Sequence, residues 1–105
     1  MVVVRVLFPI KAADVEELKQ KMVGTVSKYE GLDGLTRKYY VVTEDNNQAG
    51  GIYLWESRAK AEAWYNDEWF SYMTEAWGER PLVEYLDCPI VVDNESQNTT
   101  SKVAA

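Results

Sequence analysis

The chain begins with a stretch in which apolar side chains alternate between two faces. Residues 2–8 are rich in β-branched valine and stop before Pro9. A repeat of two is the side-chain period of a β-strand, because successive residues point to opposite sides. We therefore expect a first strand whose residues Val4 and Val6 face a core while Arg5 faces the other way.

A helix is predicted next, because the apolar positions change to spacings of three and four. These positions are Val15, Leu18, Met22, Val26 and Tyr29. Such spacings place side chains on one face of an α-helix. Asp14, with Glu17 three residues later, resembles a capping box at the start of this helix. Gly31 and Gly34 are expected to end it and to form a turn.

The middle of the chain predicts an antiparallel hairpin. Residues 35–43 and residues 50–56 are two runs with strand composition, joined by the polar loop 44–48. Strict alternation divides the first run into two faces, one with Leu35, Arg37, Tyr39 and Val41 and the other with Thr36, Lys38, Tyr40 and Val42.

A second helical region and a last strand complete the pattern. Ser57 is suited to cap the helix, because its hydroxyl can accept a hydrogen bond from a free N–H of the first turn. An apolar stripe continues to Gly78, and the pair Asn66-Asp67 predicts a break, with Asp67 capping a second short helix. Residues 82–92 form the fourth predicted strand, in which Pro89 requires a sheet edge or a bulge.

The order of these elements is β-α-β-β-α-β. This order predicts an α+β fold of ferredoxin-like type, a four-stranded antiparallel sheet with the helices on one face. Residues 1–93 are expected to form a single domain, and residues 94–105, which are polar, small and aperiodic, are expected to be a flexible C-terminal tail.

One face of such a sheet has no helix to cover it. Its side chains would include Arg5, Leu7, Tyr39, Tyr53 and Trp55 or their alternates, a set too apolar to leave in water. Two sheets that pack face to face bury a patch of this kind in a symmetric dimer. We therefore expect a homodimer through the open sheet face, a dimeric α/β barrel.

Composition excludes several classes of function. The net charge is −6, so the chain repels phosphate backbones and anionic membranes, and neither nucleic acid nor a membrane is an expected partner. The single cysteine, Cys88, suits a reducing cytoplasm and is interpreted as a structural thiol. The chain contains no histidine, which removes histidine-based triads, histidine-ligated haem and the usual zinc and non-haem iron sites.

Three segments resemble a known family: GLTRKYY at 34–40, AGGIYLWES at 49–57 and CPIVVDN at 88–94. They are similar to the YdhR-like family, which belongs to the dimeric α/β-barrel superfamily. Members of this family are called monooxygenases by analogy with the oxygenases of the superfamily. The resemblance covers residues 2–94 and implies a homodimer with a pocket between sheet and helices. It also implies relatives that convert phenols and anthrones to quinones without a cofactor. Many relatives are expected to carry a histidine where this chain has Leu7, so no role of that histidine transfers.

The aromatic side chains supply the candidate pocket residues. The predicted set is Arg37, Tyr39, Tyr53, Trp55, Trp64, Tyr65, Trp69 and Tyr85. Ring faces can stack on an aromatic ligand, although the same spacings also suit core and interface packing. Either Arg37 or Lys38 faces the inner side of the sheet, where a buried cation could stabilise an enolate or phenolate, and a solvated or interface charge is the alternative. No catalytic residue is distinguished by spacing.

The sequence thus favours a cofactor-independent monooxygenase acting on a small aromatic or phenolic compound, with no bound metal, haem or flavin. A non-catalytic homodimer that binds a small molecule is the alternative. A purely structural dimer, in which the aromatic residues serve only in packing, is a third interpretation.

Overall fold

The computed structural model describes residues 1–10, 15–95 and 98–101, the last of these by their backbone alone. The elements are β1 (Val2–Pro9), α1 (Val15–Tyr29), β2 (Leu35–Val42), β3 (Gln48–Trp55), α2 (Arg58–Trp64), α3 (Asp67–Trp77), β4 (Leu82–Asp87), β5 (Ile90–Asp93) and β6 (Asn98–Ser101). The capping role predicted for Asp14 lies outside the described residues.

Four strands form an antiparallel sheet in the order β2-β3-β1-β4, which confirms the ferredoxin-like α+β prediction. The central strand β1 pairs with β3 on one side and β4 on the other, so that Val4 lies opposite both Tyr53 and Tyr85. The predicted alternation in β1 is confirmed, since Val4 and Val6 are buried and Arg5 is exposed. Helical residues such as Leu18 and Trp69 pack onto the same buried face.

The third strand decides which of two alternating sets of residues lies on the open sheet face. Tyr53 and Trp55 are buried under the helices. Their alternates Ile52 and Leu54 lie on the opposite side and are only partly buried. The physical reason is that Trp55 finds a partner for its indole N–H inside the core, where Nε1 donates to Tyr65 Oη at 3.1 Å.

A bulge in β2 corrects the strict alternation predicted for that strand. The register with β3 shifts between Leu35 and Arg37, so Leu35 pairs with Trp55 and packs against the core. After this shift Arg37 lies on the open face, whereas Lys38 lies beside Tyr53 on the helix side. One extra residue in a bulge reverses the face of everything beyond it.

The second helical region is divided as predicted, but a different residue caps its second part. Ser57 caps α2, since its Oγ accepts a hydrogen bond from the Lys60 amide at 3.3 Å. The cap of α3 is Asn66 and not Asp67, because Asn66 Oδ1 accepts from the Trp69 amide at 2.9 Å. Asp67 instead occupies the first turn, where its charge complements the helix dipole.

The predicted fourth strand is two strands. β4 ends at Asp87, where the Cys88 amide still donates to the Met1 carbonyl at 3.0 Å, and Pro89 then breaks the ladder because it has no N–H. β5 pairs with β6 in a separate two-stranded sheet, an element that the aperiodic sequence of this segment did not predict. Asp93 in β5 forms an ion pair of 3.2 Å with Arg37. Residues 96–97 and 102–105 of the predicted tail lie outside the described residues, and its flexibility stays a prediction.

The open face of the sheet combines a charge pair with exposed apolar side chains. Arg5 and Glu84 lie opposite one another on β1 and β4, and Arg5 Nη2 is 3.0 Å from Glu84 Oε1. Leu82, Leu86 and Tyr39 are exposed by 71%, 46% and 54%. The open face is therefore partly apolar, as expected, and its exposed apolar side chains are Leu82, Leu86 and Tyr39.

Gly50 is expected to be essential for the close approach of β3 to β1. A Cβ at this position would overlap the carbonyl oxygen of Val6, which is fixed by the sheet. Gly50→Ala should therefore lower the free energy of unfolding by about 3 kcal/mol or more. Urea denaturation followed by circular dichroism measures this change.

Gly24→Ala is the matched control for that substitution. A Cβ at Gly24 on α1 would meet no atom within 4 Å, and alanine is the better helix former. We expect a stabilisation of up to about 1 kcal/mol. Equal stabilities of the two variants would contradict the close approach at Gly50.

Candidate functional site

A cavity of about 370 Å³ lies between α1, α3 and the helix side of the sheet. Its lining residues are Val6, Phe8, Lys21, Met22, Gly24, Thr25, Lys28, Tyr29, Lys38, Tyr40, Gly50, Tyr53, Tyr72, Met73, Ala76 and Trp77. The wall is mostly apolar and aromatic with a few polar groups, as in sites that bind small molecules. Its volume falls within the range of pockets that bind small organic molecules, roughly 300–1,000 Å³.

Lys38 extends into this cavity from β2 and is surrounded by tyrosine rings. Its Nζ atom lies 3.5 Å from the ring centroid of Tyr29, 3.8 Å from that of Tyr40 and 4.8 Å from that of Tyr53. The three rings come from α1, β2 and β3, so the fold rather than a local motif assembles this group. We refer to Lys38, Tyr29, Tyr40 and Tyr53 as the lysine–tyrosine cluster.

Two opposing effects act on the charge of Lys38. Burial, and secondarily the positive charge of Lys28, lower the pKa of Lys38 to about 7. The tyrosine ring faces act in the opposite direction, since their negative quadrupoles attract a cation. A shallower groove on the other side of Lys38 brings Glu30 and Arg37 into its surroundings. Lys38 is thus a group whose amine and ammonium forms are both accessible near neutral pH.

Two tyrosines of the cluster, Tyr29 and Tyr53, hold their phenolic protons more firmly than a free tyrosine does. Burial raises the pKa of Tyr53 far above its usual range, and it also raises the pKa of Tyr29. The direction of one hydroxyl follows from its partners. Thr25 Oγ1 donates its only proton to the Met22 carbonyl at 2.8 Å, so Tyr40 Oη must be the donor in its 2.7 Å hydrogen bond to Thr25.

Two lysines and two aromatic rings frame the rim of the cavity. Lys28 of α1 lies 4.4 Å from the ring of Tyr72 on α3, and Lys21 of α1 lies 5.5 Å from the ring of Trp77 on α3. Trp77 also stacks on Phe8, with ring centroids 4.4 Å apart and planes inclined by 26°. The rim therefore presents flat apolar surfaces together with exposed ammonium groups.

The eight predicted pocket residues, all within the described ranges, do not form one site. Only Tyr53 lines the cavity just described. Arg37 and Tyr39 lie on the open face of the sheet, on the far side from the cavity. Trp64 packs beside the cluster, with its ring 5.5 Å from that of Tyr29, and its buried Nε1 has no hydrogen-bond partner in the described part of the chain.

The other four predicted residues form an aromatic core behind the cavity. Tyr65 contacts Trp69, Trp55 and Tyr85 at ring-centroid distances of 4.9, 5.8 and 6.2 Å. Tyr65 is also 5.5 Å from Tyr53, so this core supports the cavity wall from behind. Tyr85 is covered from outside by the guanidinium of Arg58 at 4.6 Å. The pocket role predicted for these residues remains a prediction, whereas their packing role is seen directly.

Lys38 was considered from the sequence only as an alternative to Arg37, and Tyr29 and Tyr40 were not among the predicted site residues. The available signal was the two-residue period of β2, which places Lys38 and Tyr40 on the same face. Tyr29 gave no such signal, because its helical spacing equally suits an ordinary core position.

A second cavity of about 590 Å³ adjoins the first and shares Lys21, Ala76 and Trp77 with it. Glu17 and Glu79 line this second cavity, and it lies beside Ile10, where the described part of the chain is interrupted. We regard the first cavity as the candidate site because its apolar wall and inward-facing lysine suit a ligand better.

Two further features bear on the kind of site. Within residues 1–10, 15–95 and 98–101, no group of three or more potential metal-ligating side chains comes together. Across the same ranges, no helix has the length and apolar character needed to cross a membrane.

Residues 3–83 match the family model described as "Putative mono-oxygenase ydhR". Because the match spans most of the chain, the protein belongs to this family, as the resemblance of its hairpin and C-terminal segments predicts. No curated protein sequence matches the chain.

Three solved structures are similar to the fold. Rv0793 from Mycobacterium tuberculosis has a TM-score of 0.61 at 14% identity, covering 83% of this chain and 93% of its own. The NE2512 protein of unknown function from Nitrosomonas europaea has a TM-score of 0.64 at 13% identity, and the match covers 83% of this chain and 87% of that protein. A monooxygenase from the ActVA-Orf6 gene of Streptomyces coelicolor, solved in complex with nanaomycin D, has a TM-score of 0.62 at 20% identity. The match covers 83% of this chain and 85% of that protein. At these identities the likeness shows the fold.

The lowered pKa of Lys38 predicts a pH dependence of stability. Between about pH 7 and the pKa of an unfolded lysine, the unfolded chain binds more protons than the folded one, so the free energy of unfolding should rise with pH. One proton sets a limit of about 1.4 kcal/mol per pH unit, and the partial exposure of Lys38 and the tyrosine rings keep the rise below it.

Urea titrations at pH 7, 8 and 9 would measure this dependence. We expect the rise in the parent protein and a flatter profile in Lys38→Met, which removes the titrating group at similar volume. Lys19→Gln on the exposed side of α1 is the control and should keep the parental slope. Identical slopes in the parent and Lys38→Met would refute a depressed pKa at Lys38.

Proposed function

We propose that this protein is a cofactor-independent monooxygenase that oxidises a small aromatic or phenolic compound in the cavity between α1, α3 and the sheet. The observation that carries this proposal is the lysine–tyrosine cluster, a titratable amine held in an aromatic pocket. Membership of the family supports oxygen chemistry. The lack of histidine supports independence from the usual iron and haem sites.

Such a reaction needs a base, an anion stabiliser and a site that keeps water out. Lys38 in its amine form can take a proton from a phenolic O–H or from the activated CH₂ of an anthrone. The ammonium produced in this way then lies beside the new anion and stabilises it. The apolar and aromatic wall, which includes Phe8 and Trp77, offers few polar groups that would hold water.

The balance of the reaction requires no external reductant. The anthrone anion passes an electron to O₂, and the radical pair combines to a peroxide anion at the same carbon. The Lys38 ammonium returns its proton to this anion, which gives the hydroperoxide and restores the amine. Loss of water from this hydroperoxide yields the quinone carbonyl. Overall, CH₂ and O₂ give C=O and H₂O, so one oxygen atom enters the product and the substrate supplies all the electrons.

Oxygen consumption with a panel of anthrones, hydroquinones and naphthols tests this function. We expect uptake above the rate of spontaneous oxidation and, with anthrones and naphthols, incorporation of one ¹⁸O atom from ¹⁸O₂ into the quinone. Lys38→Met should lower kcat by roughly 10²-fold, the usual effect of removing a general base, while Lys19→Gln should leave kcat unchanged.

If no member of the panel is turned over although ligands bind, the oxygenase proposal fails. That result would favour the alternative, a non-catalytic small-molecule-binding homodimer. Quenching of tryptophan fluorescence by ligand without product formation would be its signature.

We also propose that the protein works in the cytoplasm as a homodimer through its open sheet face. The support for the cytoplasm is the single cysteine, and the support for the dimer is the exposed Leu82, Leu86 and Tyr39 on one face of the sheet. Two chains of 12.0 kDa should give a mass of about 24 kDa by light scattering at micromolar concentration.

Leu86→Asp should shift this dimer towards monomer, because it places a charge within the apolar contact. Val23→Asp is the control, since Val23 is similarly apolar and exposed but lies on α1, away from the open face. A parent protein that is monomeric at micromolar concentration would overturn the proposed dimer.

A further inference from the structure

The charges of the cavity differ in sign from the charge of the whole chain. The protein has 17 acidic and 11 basic residues, yet the described residues that line the cavity include three lysines, and none of these described residues is an aspartate or glutamate. Lys38 lies inside, and Lys21 and Lys28 are exposed at the rim. An acidic protein therefore presents a locally positive cavity.

These three lysines also differ from most other basic residues in their partners. Arg5, Lys19, Arg37, Arg58 and Lys60 each form an ion pair with a carboxylate. In the part of the chain that the structure describes, Lys21, Lys28 and Lys38 form no ion pair, and each lies against an aromatic ring. Their charges are therefore not neutralised by a direct ion pair among the described residues, although Lys21 also lines the adjoining cavity together with Glu17 and Glu79.

The arrangement favours an anion for electrostatic reasons. Burial, and secondarily the positive charge of Lys28, disfavour the charged form of Lys38. An anionic oxygen beside Lys38 would favour the charged form of this lysine, and it would do so in an apolar surrounding where a charge-assisted hydrogen bond is stronger than in water. The flat rings of Tyr72 and Trp77 at the rim meanwhile suit a planar ligand body.

We propose that the cavity selects planar aromatic compounds that carry an anionic oxygen, with Lys38 as the inner recognition group and Lys21 and Lys28 as the outer ones. This inference rests on the proposed function, because it names the charge class of the substrate for the same cavity. The anionic oxygen can belong to a carboxylate or to a phenolate, and the two sources are separated experimentally.

Isothermal titration calorimetry with 2-naphthoate and its neutral isostere 2-naphthamide tests the selection for charge. We expect 2-naphthoate to bind roughly tenfold more tightly, the effect of one charge-assisted hydrogen bond. In Lys38→Met the two affinities should become similar. Equal affinities of the two probes in the parent protein, with 2-naphthol also bound only in its neutral form, would overturn the proposal.

A matched pair of substitutions on α1 distinguishes binding of the anion by the rim lysines from a nonspecific effect of the protein's net charge. Lys28→Gln and Lys19→Gln change the net charge equally, but Lys28 lies at the rim and Lys19 pairs with Glu16 at the surface. Lys28→Gln should weaken 2-naphthoate binding by about threefold and Lys19→Gln should not. An equal loss in both variants would mean a nonspecific charge effect and would contradict the proposed rim.

The ultraviolet difference spectrum of bound 2-naphthol distinguishes the two sources of the oxygen. A red-shifted spectrum of naphtholate at pH 7, absent in Lys38→Met, would support the proposal with a phenolate as the ligand group. Tight binding of 2-naphthoate together with neutral bound 2-naphthol would support it with a carboxylate.

The oxygen-uptake experiment keeps the two proposals separable. Charge selection without oxygen uptake would support the anion site and refute the oxygenase. Oxidation of neutral and anionic substrates with equal kcat/KM would support the oxygenase and refute the anion site.

Discussion

The pairing of β3 with β1 on one side and with β2 on the other is the constraint on which the rest of the structure depends. Because Gly50 has no side chain, β3 can approach the Val6 carbonyl closely enough to close the ladder. The register that results places Tyr53 and Trp55 under the helices and sets Lys38 opposite Tyr53. The core and the site therefore share one strand, and neither can change register without the other.

The bulge between Leu35 and Arg37 gives the site its cation. Without the extra residue, the burial of Leu35 would also turn Arg37 inward and would turn Lys38 outward. With it, Leu35 packs in the core and Lys38 still reaches the cavity. A partly buried lysine that has no carboxylate partner among the described residues costs stability, and such a cost is typical of a functional site rather than of packing.

The sheet separates two surfaces with different roles. Its helix side holds the aromatic core around Tyr65 and, next to it, the cavity with the lysine–tyrosine cluster. Its open side holds the Arg5–Glu84 pair and exposed leucines, which suit contact with another protein surface. A substitution such as Leu86→Asp can therefore change assembly without touching the cavity wall, and Lys38→Met can change the cavity without touching the open face.

The sequence by itself determined the strands, the helices and their order, because each depends on neighbours within a few residues. Such local patterns predict which residues of β1 face the core. They also predict the cap at Ser57 and the break near Asn66. The family also follows from contiguous segments. The candidate site residues do not follow from local patterns in the same way. Of the eight aromatic and basic candidates, Tyr53 lines the cavity and the other seven do not, so their pocket role stays a prediction.

Only the tertiary structure decided where the cavity lies and that Lys38 enters it. The bulge in β2 depends on long-range pairing with β3, and the meeting of Tyr29, Tyr40 and Tyr53 around one amine depends on three elements packed together. Local periodicity records the face on which a residue lies relative to its neighbours in the same strand. It does not record a change of register or the distance between elements, because those arise from contacts between residues far apart in the chain.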